Sequence, residues 1–171
     1  MKLCYLLACL LFTSVSCSSD APTDREVQDT TTTVFLVRHA EKEDGDDPEL
    51  TAAGAERADR LASLLADSTV TAIYTTDTRR TRATAQPTAE QSQLELQVYD
   101  PNRLSELAGR LREERPGGTV LIVGHSNTTP ALANQLTGTS QLGQFPDDDY
   151  GNILVVTLPG EGTPRMEERR Y

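Results

Sequence analysis

The chain is short of cysteine, histidine and positive charge, and each shortage closes off a class of function. Its three cysteines, Cys4, Cys9 and Cys17, all lie near the start, so the remainder has no thiol for a disulfide or a cysteine metal site. Lys and Arg total 16 against 26 Asp and Glu, a balance that makes nucleic acid a poor partner. The same excess repels anionic ligands at long range. Salt screens that field beyond about 8 Å, so a locally cationic pocket can still take an anion. Long apolar runs are missing as well. The stretch Leu3 to Phe12 falls well short of the roughly 20 residues that span a bilayer.

That stretch has a different use. Lys2 precedes it and the small residues Thr13-Ser14-Val15-Ser16 follow it, the layout of an export signal. Residues 1–16 are read as a signal peptide, which implies a protein of the cell envelope. Cleavage before Cys17 resembles bacterial lipoprotein processing and implies a lipid-anchored protein with Cys17 acylated. Ser14 stands where that signal usually has Leu. Ser14-Val15-Ser16 also suits an ordinary signal peptidase, which would leave Cys17 a free thiol in a periplasmic or secreted protein. Residues 17–32 are polar and without apolar periodicity, the composition of a flexible tether. Any membrane contact is thus expected through a lipid anchor alone. One folded domain is expected over residues 33–171.

Each of the two histidines ends the same kind of segment. The first is Val34-Phe35-Leu36-Val37-Arg38-His39-Ala40 and the second Val120-Leu121-Ile122-Val123-Gly124-His125-Ser126. Short runs rich in branched residues read as strands buried on both faces, the pattern of a parallel sheet. Ligands collect at the carboxyl ends of such strands, where both histidines stand.

Between and after them, helices alternate with strands. Thr51 can cap a helix to about Ala66, with Ala58, Leu61, Ala62, Leu64 and Leu65 as its buried stripe. Val70 to Tyr74 reads as a strand. A helix from near Asp77 should kink or end at Pro87. Leu94 to Tyr99 reads as a polar strand, and Asp100-Pro101 as the cap and first position of the next helix, with Leu104, Leu107 and Leu111 on its apolar face. Pro116-Gly117-Gly118 turns into the second histidine strand. A helix over about Pro130 to Leu136, a loop through Asp147-Asp148-Asp149-Tyr150, a strand over Asn152 to Leu158 and an edge strand ending at Tyr171 complete the chain. This alternation predicts a three-layer α/β/α sandwich with a mostly parallel sheet. The acidic stretches Glu41 to Asp47 and Asp147 to Asp149 are read as solvated surface.

Arg38 stands beside His39, and Arg80 lies in Thr75-Thr76-Asp77-Thr78-Arg79-Arg80-Thr81-Arg82-Ala83-Thr84-Ala85, at the turn after the second strand. Arg79 and Arg82 are read as a solvated helix face, with Arg80 turned inward. Two arginines and two histidines on one rim make a cationic pocket with forked donors, suited to a phosphoryl group. One histidine can then act as nucleophile and form a phosphohistidine that water hydrolyses. Zinc is not expected there: the histidines lack a short ligand spacing, and adjacent arginines oppose a cation.

Four segments, Leu36 to Lys42, Leu50-Thr51-Ala52-Ala53-Gly54, Tyr74 to Ala85 and Val123-Gly124-His125-Ser126-Asn127, together resemble the histidine phosphatase superfamily, also called phosphoglycerate mutase-like. The similarity runs from about Val34 to Leu158. It implies His39 as the phosphorylated nucleophile, with Arg38, Arg80 and His125 completing the phosphate pocket. It also implies Ser126 and Asn127 as residues lining the substrate, and no metal or cofactor. Thr76-Asp77-Thr78 replaces the Ser-Pro-Leu that larger members carry before the second arginine. Many members supply a Glu acid on an insertion between Arg80 and His125. Here only 45 positions separate them, filled by one strand and two helices. Asp100, at the end of the third strand, is the candidate proton donor, with Glu41 and Glu106 behind it.

The expected function is hydrolysis of phosphomonoesters or phosphoramidates, the substrate being a phosphorylated small molecule or phosphoprotein. His39 must be neutral at its attacking nitrogen, with the other nitrogen held by a backbone carbonyl. A non-catalytic phosphate- or phosphoprotein-binding lipoprotein and a phosphomutase are the alternatives. The mutase would need a cover over the phosphohistidine, for which the chain is short.

Overall fold

The computed structural model describes residues 31–114 and 117–171. The signal segment, Cys17, most of the tether and Pro116 of the expected turn lie outside the described residues. The strand expected from Val34 starts two residues earlier, as β1 (Thr32–Arg38). It is followed by α1 (Ala52–Leu64), β2 (Val70–Thr75), α2 (Arg79–Ser92), β3 (Leu96–Val98), α3 (Leu104–Glu114), β4 (Gly118–Gly124), α4 (Thr128–Thr137), β5 (Asn152–Leu158) and β6 (Arg165–Arg170).

All six strands form one sheet in the order β3-β2-β4-β1-β5-β6. The pairs β3-β2, β2-β4 and β4-β1 are parallel, whereas β5 runs antiparallel to both β1 and β6. Successive strand residues point to opposite faces, and both faces are buried. Val34, Leu36, Tyr74, Ile122 and Leu154 pack beneath Leu107 and Leu111 of α3 and Leu132 and Leu136 of α4. Phe35, Val37, Ile73, Leu121 and Val123 pack against Leu61 of α1 and Ala85 and Ala89 of α2. The three layers are therefore those expected, with a mixed sheet.

Several local expectations yield to packing. Helix α2 continues through Pro87 and ends only at Gln93, in the left-handed region at φ 56°. Thr84, Ala85, Thr88 and Ala89 are buried on both sides of the proline, and that burial offsets the roughly 3 kcal/mol an internal proline costs. Asp100 does not cap α3. Its Oδ1 accepts the amide of Asn102 at 2.8 Å and its carbonyl the amide of Arg103 at 3.0 Å, a side-chain turn that competes with helix. The helix starts later, at Leu104. Leu64 leaves the expected stripe and is 42% exposed.

One glycine is set by a close approach. The first turn of α1 lies on the backbone that follows His39. Thr51 caps the helix by accepting from the Gly54 amide at 3.0 Å, and the Thr51 amide donates to the Glu41 carbonyl at 2.9 Å. A Cβ on Gly54 would stand 2.1 Å from that carbonyl oxygen. Gly54→Ala should therefore destabilise the protein by about 1–3 kcal/mol, the usual range for overpacking, read as a lower urea midpoint. A midpoint equal to that of the parent would show that this contact is soft.

Candidate active site

Sheet register brings the two histidines together. Arg38 pairs with Gly124 across the parallel β1-β4 ladder, so the next residue on each strand, His39 and His125, leaves the sheet at the same level. Neighbouring strands lie about 4.8 Å apart, and the imidazole centroids are 5.6 Å apart in an edge-to-face arrangement. The backbone closes the pair further, with the His39 amide donating to the Gly124 carbonyl at 2.9 Å.

His39 is buried, and its Nδ1 donates to the Ala40 carbonyl at 2.8 Å. That bond places the proton on Nδ1 and leaves Nε2 with its lone pair. The Ala40 amide in turn donates to Thr84 Oγ1 at 2.9 Å, tying the site to α2. His125 is held from two sides. Its amide donates to Thr128 Oγ1 at 2.9 Å, and its Nε2 lies 2.9 Å from Thr76 Oγ1. Thr76 stands there because Thr75 pairs with Val123 across β2-β4.

Arg38 is buried, and among the described residues it has no carboxylate partner. Its Nη1 donates to the carbonyls of Pro146, Asp147 and Asp149 at 2.9, 3.0 and 3.3 Å. Its Cζ lies 4.2 Å from the centroid of the Tyr150 ring, within cation–π range. The same ring is 6.0 Å from His39. Arg80, the second residue of α2, places Nη1 3.3 Å from Asp47 Oδ1. The Nε atoms of both arginines are buried with no hydrogen-bond partner among the described residues. Two forked cations with unsatisfied donors beside two imidazoles form a cluster, the candidate recess, whose chemistry suits an anion.

Both histidines are pushed down to about 4. Burial is the main cause at each. The Arg38 and Arg80 charges act in the same direction, and at His39 the Ala40 hydrogen bond opposes them. Both imidazoles are therefore neutral at neutral pH, as a nucleophilic His39 requires.

The structure sorts the remaining expected residues. Ser126 is half-buried and Asn127 exposed, at the start of α4. Among the described residues neither side chain hydrogen-bonds to the four pocket residues. Asp100 is exposed in its turn, Glu106 pairs with Arg103, and Glu41 is clamped by Arg57 through Nε and Nη2. None of these carboxyls bonds to Arg38, His39, Arg80 or His125 among the described residues. Arg79 and Arg82 pair with Glu49 and Asp77 as a surface face should. The two acidic stretches are not mere solvated surface, since Asp47 meets Arg80 and the 146–150 loop cradles Arg38. Tyr150, Thr76 and Asp47 carry no periodic signal in the sequence.

Comparison with known proteins fits this geometry. A family model described as the histidine phosphatase superfamily (branch 1) matches residues 34–108, which include Arg38, His39 and Arg80. The fold is that of phosphoglycerate mutase-like histidine phosphatases. The protein histidine phosphatase SixA complexed with tungstate is similar at a TM-score of 0.66 and 16% identity, over 81% of this chain and 96% of that one. Mycobacterial glucosyl-3-phosphoglycerate phosphatase is similar at 0.62 and 15%, over 82% and 98%. Phosphoserine phosphatase of Entamoeba histolytica, in complex with 3-phosphoglyceric acid, is similar at 0.60 and 17%, over 82% and 97%. At such identities the likeness is one of fold. No curated protein matches the chain in sequence.

The chain's two histidines make their titration directly readable. Unfolded imidazoles titrate near 6.5, so between about 4 and 6.5 the unfolded chain binds more protons than the folded one. Stability should be complete above that window and fall as the pH drops through it. Proton NMR of the folded protein should show neither imidazole titrating near 6.5, and the urea midpoint at pH 5 should lie below that at pH 7.5. A His39 resonance with a midpoint near 6.5 would contradict the burial of the site.

Proposed function

We propose that the protein is an exported member of the histidine phosphatase superfamily that hydrolyses phosphomonoesters or phosphoramidates through a phosphohistidine on His39. The observation that carries this reading is the state of His39. Its Nδ1 proton is held by Ala40, and the ring is kept neutral by burial beside two arginines with unpartnered donors. A phosphoryl group in the recess would meet Arg38 and Arg80 on its equatorial oxygens. His39 Nε2 would attack phosphorus, the leaving oxygen would depart on the opposite side, and water would later cleave the P–N bond. Neutral histidines add no positive charge at rest, so the arginines supply the attraction. Each well-placed donor is typically worth about 3 kcal/mol in the transition state. No step requires a metal.

Acylated at Cys17, the domain would ride on a membrane at the end of the polar segment of residues 17–32. The substrate is then a phosphorylated small molecule or a phosphorylated side chain reaching that surface. A binding-only lipoprotein is favoured by one observation, that Asp100, Glu41 and Glu106 are all engaged outside the recess.

Turnover of an aryl phosphate separates the two. Wild-type protein should release phosphate and, quenched during turnover, carry an acid-labile phosphoryl group. His39→Ala should lose both, with a rate at least about 10³-fold lower, as is usual for a nucleophile. Full activity in His39→Ala would end the mechanism. Tight phosphate binding without turnover in the wild type would select the binding module instead.

A further inference from the structure

A leaving alkoxide needs a proton, and the carboxyls that the sequence suggested for this are held elsewhere. A different carboxylate reaches the recess. Asp47 Oδ1 lies 3.3 Å from Arg80 Nη1 and accepts the Arg79 amide at 3.0 Å. Among the described residues it is the one carboxylate paired with either recess arginine. Among the described residues the hydrogen bonds of Arg38 all go to carbonyl oxygens.

The contact is built rather than incidental. Asp47 sits at the tip of the segment between β1 and α1, with its backbone in the left-handed region at φ 49°. Asp tolerates this conformation better than most residues. The segment is pinned at its base by the Lys42–Leu50 bridge, by the Glu43 amide donating to the Glu49 carbonyl at 3.0 Å, and by the buried Pro48. Glu49 pairs with Arg79 alongside. The tip is therefore held against the N-terminus of α2. Its two oxygens differ: Oδ1 has two donors, whereas Oδ2 has no hydrogen-bond partner among the described residues. The side chain is 46% exposed, so a proton from solvent can reach the carboxyl.

We propose that Asp47 is the general acid of this site, donating a proton through Oδ2 to the leaving oxygen of a phosphate ester of an aliphatic alcohol. The proposal rests on the phosphatase reading and adds a substrate class to it. A phosphate dianion docked on Arg80 stands beside the Asp47 carboxylate, and a proton taken up from solvent relieves the repulsion between them. His39 Nε2 then forms the N–P bond as the P–O bond to the alcohol breaks. The bond's electron pair goes to oxygen, which takes the Asp47 proton and leaves as the free alcohol. Asp47, now a carboxylate, accepts a proton from the water that attacks phosphohistidine. The new P–O bond forms, the P–N bond breaks, and inorganic phosphate departs with neutral His39 restored. The sum is ester plus water to alcohol plus phosphate.

An acceptor for the Arg79 amide would alone explain Asp47 structurally, because Thr78, the residue before α2, makes no side-chain cap. Asp47→Asn keeps that acceptor and removes the transferable proton together with the charge opposite Arg80. The measurement is kcat/KM for β-glycerophosphate, which needs an acid, and for 2,4-dinitrophenyl phosphate, which does not. Asp47→Asn should lower the first by about 10²- to 10⁴-fold and leave the second within about threefold, the range general acids supply. Equal slowing of both substrates, no slowing of either, a gain in rate, or a selective defect in Asp100→Asn instead would each overturn the assignment. With wild-type turnover and a His39 phosphoenzyme present, those outcomes remove Asp47 alone. Absence of wild-type turnover on both substrates removes the phosphatase reading with it.

Discussion

Arg38 carries a full positive charge into a position only 5% exposed, and the rest of the site depends on how that charge is solvated. Taking an ion out of water costs several kcal/mol even after the protein relaxes, so lost hydration must be replaced. A carboxylate would replace it by cancelling the charge. Three backbone carbonyls and the face of Tyr150 replace it without doing so. Dipoles stabilise the guanidinium and leave its field intact for a ligand. That field also disfavours protonation of both imidazoles. Burial, aided by this field, keeps His39 neutral, the state the proposed nucleophile needs.

The carbonyl cradle exists because β5 runs against β1. Val37 pairs with Ile153, so the residues just before Asn152 arrive at the rim where β1 ends. The loop through residues 146–151 is then held by the side chain of Asp149, which turns away from Arg38. Asp149 accepts from Asn152 Nδ2 at 2.9 Å and from Arg170 Nη2 at 2.8 Å, while its carbonyl faces Arg38. Arg170 lies on β6, which pairs Asn152 with Arg170. Acidic residues can therefore border the proposed recess, since Asp147 and Asp149 offer Arg38 their backbone carbonyls. Glu41 behaves similarly. Its carboxylate, held well below the usual range by Arg57, anchors the chain two residues after His39 and stays out of the recess.

Strong patterns were legible in the sequence and weak ones were not. Val34 to Val37 and Val120 to Val123 read as strands buried on two faces, and their parallel pairing follows from the helices between them. Each histidine at such a strand end is then a rim residue, which is why the pair was readable. The direction of β5 was not readable, because a strand buried on both faces looks the same run either way. Tyr150 and Thr76 lie in loops, where no period marks a side chain's direction. Asp47 was hidden in a run of charges that reads as solvent-facing. Pro87 and Asp100-Pro101 misled because local rules lost to burial in α2 and to a side-chain turn before α3.

An acidic chain proposed to take an anion needs an account of where its negative charge goes. Much of it is matched locally: Glu41 with Arg57, Glu49 with Arg79, Asp77 with Arg82, Glu106 with Arg103, Asp149 with Arg170. Exposed pairs of this kind contribute only about 0–1 kcal/mol each to stability, so their number says little about how firmly the fold holds. Their effect is on the field. Arg79 and Arg82 flank Arg80 on the same helix turn and pair with Glu49 and Asp77, whereas Arg80, which meets Asp47, is the one of the three whose charge acts on both imidazoles. The amide end of α2 adds partial positive charge there. Long-range repulsion from the remaining acidic groups fades within about one screening length of 8 Å. On the proposed reading, an approaching phosphoryl group meets a barrier far out and two guanidinium forks close in, Arg38 buried and Arg80 half-buried. Close to the site, the carboxylate it must reckon with is the one already resting on Arg80.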